Sequence, residues 1–135
     1  MAITLSTAVR NARLDAIEAT IGTSAVLKVR TGAAPATVAS ASTGTVVATL
    51  NLPSDWMAAA SGGSKAKAGT WEDAAADAAG VAGHFEITAS DGATVHLRGT
   101  VTATGGGGDL EVDNTSFAAG QSFTITAFSL TDGNG

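Results

Sequence analysis

Two histidines, a scatter of carboxylates and two glycine-rich stretches are the parts of this chain whose residue types invite a chemical reading. His84 precedes Phe85 at a strand start, and His96 lies on the Thr/Arg side of a later strand. Neither falls in an HExxH or HxH spacing, and no Ser or Cys stands beside them in a nucleophile motif. Both read as surface or interface residues. Glycoside hydrolysis needs two convergent carboxylates, and Glu86 and Glu111 are the conceivable pair. Alternation with Phe85, Ile87, Leu110 and Val112 turns both outward, however, and aromatic platforms for a sugar are scarce. A phosphate loop needs GxxxxGK[ST] between a strand and a helix. Gly105–Gly108 instead joins two strands ahead of Asp109, and the fragment Gly62-Gly63-Ser64-Lys65 is too short to match. Asp113-Asn114 and Asp132-Gly133-Asn134-Gly135 offer oxygens to calcium without the twelve-residue loop and terminal Glu of a calcium hand. Asn114-Thr115-Ser116 matches a glycosylation sequon but reads as one more turn. The expectation is no catalytic residue, no cofactor and no metal.

Composition narrows the class further. The net charge is -5 and the pI about 4.7, with no Lys/Arg stripe, which argues against capture of nucleic acid through its phosphates. Cysteine is absent, which removes disulfides and thiolate chemistry. No basic leader precedes an apolar run, and no segment approaches about 18 consecutive strongly apolar residues, so neither secretion nor a membrane span is expected. Ala, Gly, Thr and Ser make up more than half the chain, while aromatics are 4%. Four Phe, two Trp and a modest set of Leu, Ile and Val must carry the core.

The elements that would position any site follow from periodicity. Ser6–Ile21 reads as a helix, capped by Ser6 or Thr7 and ended by Gly22. Asn11, Asp15 and Glu18 share one face and are expected in solvent; Leu5, Val9, Ala12 and Ala16 form a second face, Leu14, Ile17 and Ile21 a third. A helix apolar on two flanks either sits in a groove of its own domain or has one flank covered by another chain. Period-2 alternation predicts strands around Ala25–Arg30, Val46–Leu52, Phe85–Ile87, Val95–Ala103, Leu110–Val112 and Phe123–Leu130, with a phase slip near Ala127. Thr31–Gly44 reads as loop, Ser54–Ala60 as one helical turn, and Ser61–Trp71 as an edge strand guarded by Lys65 and Lys67. Trp71–Gly83 reads as loop broken by Gly80 and Gly83. Seven or eight strands with turns at this spacing predict a mainly β protein: an antiparallel β-sandwich of jelly-roll type, with one N-terminal α-helix. Residues 1–22 form the arm and helix, and 23–135 one sandwich domain with an irregular insertion at about 53–82.

Three stretches, LSTAVRNARLDAIEATIGTSAVLKVRTG, LPSDWMAAASGGSKAKAGTW and GTVTATGGGGDLEVDNTSFAAGQSFTITAFSLTDGNG, cover most of the chain. In them the chain resembles the small structural proteins of tailed-bacteriophage virions, in particular capsid decoration, or cement, proteins. The resemblance implies a non-enzymatic virion protein, made in the bacterial cytoplasm. It would bind the outer surface of the head as a homodimer or homotrimer, bridge capsomers of the major capsid protein, and touch neither nucleic acid nor membrane. The contact residues expected on that reading are Ile3, Leu5, Val9, Arg10, Arg13 and Leu14, with Trp56 and Trp71 from the insertion. Trp and Arg often anchor interfaces, although both Trp residues equally suit the chain's own core. A tail tube, terminator or fibre domain and a carbohydrate-binding module are the rival functions.

Overall fold

The computed structural model describes residues 3–133, a mainly β fold with one helix and a curled, mixed sheet. Residues 1, 2, 134 and 135, at the outer limits of the expected arm and domain, lie outside the described residues, as does half of the Asp132–Gly135 turn. Helix α1 spans Thr7–Ile21 as expected. The Ser6 hydroxyl accepts the Val9 amide at its start, and Gly22, at φ 94°, closes its end by donating to the Glu18 carbonyl.

Strands β1 (Val26–Thr31), β2 (Val46–Asn51), β5 (Gly80–Thr88), β6 (Val95–Ala103) and β7 (Leu110–Val112) form the main sheet in the order β2-β1-β5-β6-β7. The antiparallel register brings Leu50, Leu27, Ile87 and Leu97 into one row, and Ala48, Val29, Phe85 and Gly99 into the next. These rows make the apolar face. Gly99 leaves the space that the Phe85 ring occupies; a Cβ there would stand 2.7 Å from it. The alternate row on the opposite face is Thr49, Lys28, Glu86 and Arg98.

Five short strands complete the structure among the described residues: β3 (Ser64–Ala66), β4 (Trp71–Asp73), β8 (Ser116–Phe117), β9 (Phe123–Ile125) and β10 (Ser129–Thr131). β3 pairs with β10, β4 with β9, and β8 with the start of β5. Aromatic contacts set these ladders against the apolar face: Trp71 lies 6.0 Å from Trp56 and 5.5 Å from Phe128, and Phe128 meets Phe85 edge-on at 5.7 Å.

Several expectations are overturned, each for a local reason. Ser54–Ala60 makes no helical turn, because the amides of Met57 and Ala60 are taken by carboxylates of α1 instead of by carbonyls one turn back. Trp71–Asp73 is a strand. Gly80 and Gly83 lie inside β5, where they mark close approach and not a break: a Cβ on Gly83 would overlap the Gly32 carbonyl. The phase slip near Ala127 is a division of one expected strand into two. Phe128 turns into the core, and β9 and β10 take different partners.

The largest departure is β7, which runs parallel to β6, with Val101 opposite Leu110 and Ala103 opposite Val112. Parallel neighbours ordinarily need a crossover of a dozen or more residues; here Thr104–Asp109 suffices. Gly105 and Gly107, at φ 88° and 81°, let the chain double back tightly. Glu111 accepts both their amides at 3.1 Å, and the Thr102 hydroxyl accepts the Gly108 amide at 3.0 Å. The Asp91-Gly92 turn before β6 behaves as its sequence suggests. The Thr94 hydroxyl, then the Thr94 and Ala93 amides, hold the Asp91 carboxyl down at about 2.

Candidate functional site

Two polar constructions organise the charged residues. The first lies on the non-apolar face of the main sheet. Glu86, expected outward, is 1% exposed. Its carboxylate accepts from Arg30 at 2.8 Å, Ser42 at 2.9 Å and Arg98 at 3.2 Å. Burial alone would raise its pKa. The Ser42 hydroxyl and the two guanidiniums outweigh that and keep the carboxyl below its ordinary value.

The cover over this face is the Ω-loop between β1 and β2. Its neck is closed by Thr31 N–H to Thr45 O and by Thr45 N–H to the Thr31 hydroxyl, both 3.0 Å. Arg98 donates to the carbonyls of Thr37 and Ser40, and Arg30 to that of Gly44. His84 was expected at the surface and is fully buried instead, with Nδ1 2.9 Å from the Gly32 carbonyl. The loop is thus pinned at both ends and the middle by side chains from three strands. His96 is exposed, as expected.

The second construction fastens α1. Asn11, Asp15 and Glu18 were expected in solvent; Asp15 keeps an exposed side chain, Asn11 and Glu18 are half-buried, and all three form the docking face. Glu18 accepts the Met57 amide at 3.0 Å, Asp15 the Ala60 amide at 2.9 Å, and Asn11 the Gly63 amide at 2.9 Å. One helical turn advances about 5.4 Å, so acceptors three and four residues apart meet every third amide of the opposed segment. Lys65, expected as the guard of an edge strand, points inward and is 2% exposed. Its ammonium bridges Asp15 at 2.7 Å and Glu18 at 3.1 Å and donates to the Ala58 carbonyl at 2.9 Å. Beside this clasp Leu14 and Ile21 are buried and Ile17 packs on the core. At the other end Arg10 donates to the Asp132 carbonyl and Arg13 pairs with the Asp132 carboxylate.

The clasp has a defined pH signature. The Lys65 ammonium, then the Ala60 amide, hold Asp15 below its ordinary 3.8. Burial alone would lower Lys65, but hydrogen bonds to Asp15 and Glu18 outweigh it and hold Lys65 above 10.5. A depressed carboxyl contributes fully above its ordinary value and is lost as pH falls through the folded one. A raised ammonium contributes fully below its ordinary value and is lost as pH rises through the folded one. The Ala60 amide resonance is therefore expected to stay put between these two limits and to move beyond them. A transition centred near neutrality would contradict the clasp.

Of the contact residues expected from sequence, Ile3 is 84% and Val9 45% exposed. Leu5 and Arg10 are half-buried, and Arg13 keeps an exposed side chain. Leu14, Trp56 and Trp71 are buried in the chain's own interior at 3%, 0% and 0% exposure, so none of the three offers a side chain to a partner in this fold. Trp56 and Trp71 are core residues: their indoles donate to Gly22 O, and to Trp56 O and Ala68 O, respectively.

Glu86 and Glu111 are not brought together as a pair. Glu86 is enclosed by arginines, while Glu111 caps the glycine loop. Among the described residues no group of three or more His, Asp or Glu is arranged to hold a metal ion. No helix among them is long and apolar enough to cross a membrane. Sequence reading missed the clasp, although its signal was present: acceptors at 11, 15 and 18 aligned on one face. No family model matches the chain, and neither a curated protein nor a solved structure is significantly similar to it.

Proposed function

We propose that this chain is a non-enzymatic virion structural protein of a tailed bacteriophage, a capsid decoration protein built as a two-layer, jelly-roll-like sandwich. On this reading it binds the outer surface of the head and bridges neighbouring capsomers. The observation that carries the reading is the orientation of α1. Because the helix is fastened by its polar face, its small and apolar flank, with Val9, Ala12 and Ala16 and the preceding Ile3, is turned outward on a rigidly held element. Each of the seven Lys and Arg side chains is engaged within the chain, which supports contact through shape and apolar surface in preference to a cationic patch. All six aromatic side chains are buried, which disfavours the carbohydrate-binding alternative because sugars stack on exposed rings.

Binding only the assembled shell would stabilise it by mass action. The test is to mix purified protein with empty and expanded heads of its phage and image them. Saturable occupancy at symmetry-related positions is expected, with Val9→Glu weakening it about tenfold or more. No binding to any head form would overturn the reading, and rings or tubes of the protein alone would place it in the tail.

A further inference from the structure

Helix α1 is joined to β1 by a short hinge, and two of its residues hold positive φ: Gly22 at 94° and Ser24 at 55°. Ser24 is the one non-glycine residue so placed among those described. An L side chain in that region crowds the following carbonyl, so the hinge is strained at the point where the chain turns from helix into sheet. Apart from the Trp56 indole, which donates to the Gly22 carbonyl, the bonds that dock α1 lie outside this hinge. They run from Asn11, Asp15 and Glu18 to amides and an ammonium carried by residues 57–65, and from Arg10 and Arg13 to Asp132. A short hinge under strain invites exchange of the element it carries, and such exchange is a low-cost route to a dimer.

We propose that α1 exchanges between two copies of this chain, each helix lying on the 57–65 segment of the other with the hinge opened out. The occupant of the segment is argued from complementarity. Three amides at every third residue, flanked by the buried Lys65 ammonium, call for a helix with acceptors at i, i+4 and i+7 and an apolar flank beside them. The chain's own α1 has that pattern, with Leu14, Ile17 and Ile21 as the flank. In the exchanged form these clasp contacts are remade between chains while the Ser24 conformation is released. Because each copy receives the helix of the other, the mutual exchange closes at two. This inference supplies a route to self-association and stands whether or not the protein binds heads.

The absence of cysteine makes the test clean. Ala19 and Ala59 are exposed, line the same shallow depression beside the clasp, and take no part in its bonds. Two single variants, Ala19→Cys and Ala59→Cys, are mixed, exposed briefly to a pH below the clasp's lower limit, returned to neutrality, and treated with a short bis-maleimide. The double variant is the intrachain control. Exchange predicts mixed 19–59 cross-linked dimers several-fold in excess of 19–19 and 59–59 dimers. Ser24→Gly should weaken dimerisation about tenfold or more, since each dimer contains two hinges; Ser24→Val should strengthen it. Cross-linking only within the double variant, or a dimerisation constant indifferent to residue 24, would overturn the proposal. Heads bound by a protein that never exchanges would leave the shell reading standing alone, and an exchanging protein that ignores heads would do the reverse.

Discussion

Glu86→Leu is expected to cost about 3–5 kcal/mol of folding stability, the usual result of leaving buried charges without their partner. The Arg30 and Arg98 side chains are 15% and 5% exposed, and both lean on this one carboxylate. Against a total of about 5–15 kcal/mol for a typical domain, the loss should move the urea midpoint far down, read by tryptophan fluorescence. Glu86→Gln retains the shape and an acceptor for Ser42 while removing the charge, so it should fall between the two. The native carboxyl titrates below its ordinary 4.5. Its contribution is therefore complete above that pH and fades as the pH falls through the lower folded value. The wild type should lose stability in that acid range more steeply than Glu86→Gln. Equal midpoints for wild type and Glu86→Leu at neutral pH would show that the arginines find other partners.

Trp71→Ala should be comparably severe, about 3–5 kcal/mol, because the ring is fully buried and packs against both Trp56 and Phe128. The indole also donates to two carbonyls, Trp56 O at 3.2 Å and Ala68 O at 3.1 Å. Trp71→Phe retains most of the apolar contact but removes the indole donor from the Ala68 carbonyl, while the Trp56 carbonyl still accepts the Ala68 amide, so a smaller loss of about 1–3 kcal/mol is expected. Thermal unfolding with near-ultraviolet circular dichroism separates the two terms. A Trp71→Ala protein that melts like the wild type would mean that Trp71 is a surface residue after all. The Lys67 ammonium, 5.8 Å from the centroid of the Trp71 ring, adds little at that separation.

The main strands were legible because period-2 alternation is a local property. Leu27, Val29, Phe85 and Ile87 announce an inward face without reference to any distant residue. What periodicity cannot display is the state of the other face. Lys28, Arg30, Glu86 and Arg98 look like solvent-facing residues one strand at a time. Only their register across β1, β5 and β6, together with an Ω-loop supplied from elsewhere in the chain, turns them into a closed polar layer. The same holds for α1. Asn11, Asp15 and Glu18 obey the ordinary association of polar helix faces with water, and their partners are backbone amides, to which side-chain types give no clue. His84 and Glu86 were misplaced for one shared reason: a buried polar group is inferred from its partners, and those lie as many as 56 residues away. The parallel β6–β7 pair escaped notice because a glycine run signals a reversal without specifying how far the chain turns back.

The contact between Arg10 and Asp132 joins residues separated by 122 positions. Asp132 also donates its amide to Gly63, directly beside the amide that Asn11 accepts, and β3 within the docking segment is held by β10. As the chain leaves the ribosome at about 5–20 residues per second, the helix is therefore made well before the surface that receives it is complete. For several seconds or more of synthesis a formed helix would trail an unfinished cradle, within reach of neighbouring nascent chains on the same message. Co-translational crowding of identical chains thus becomes a factor in which cradle each helix reaches first.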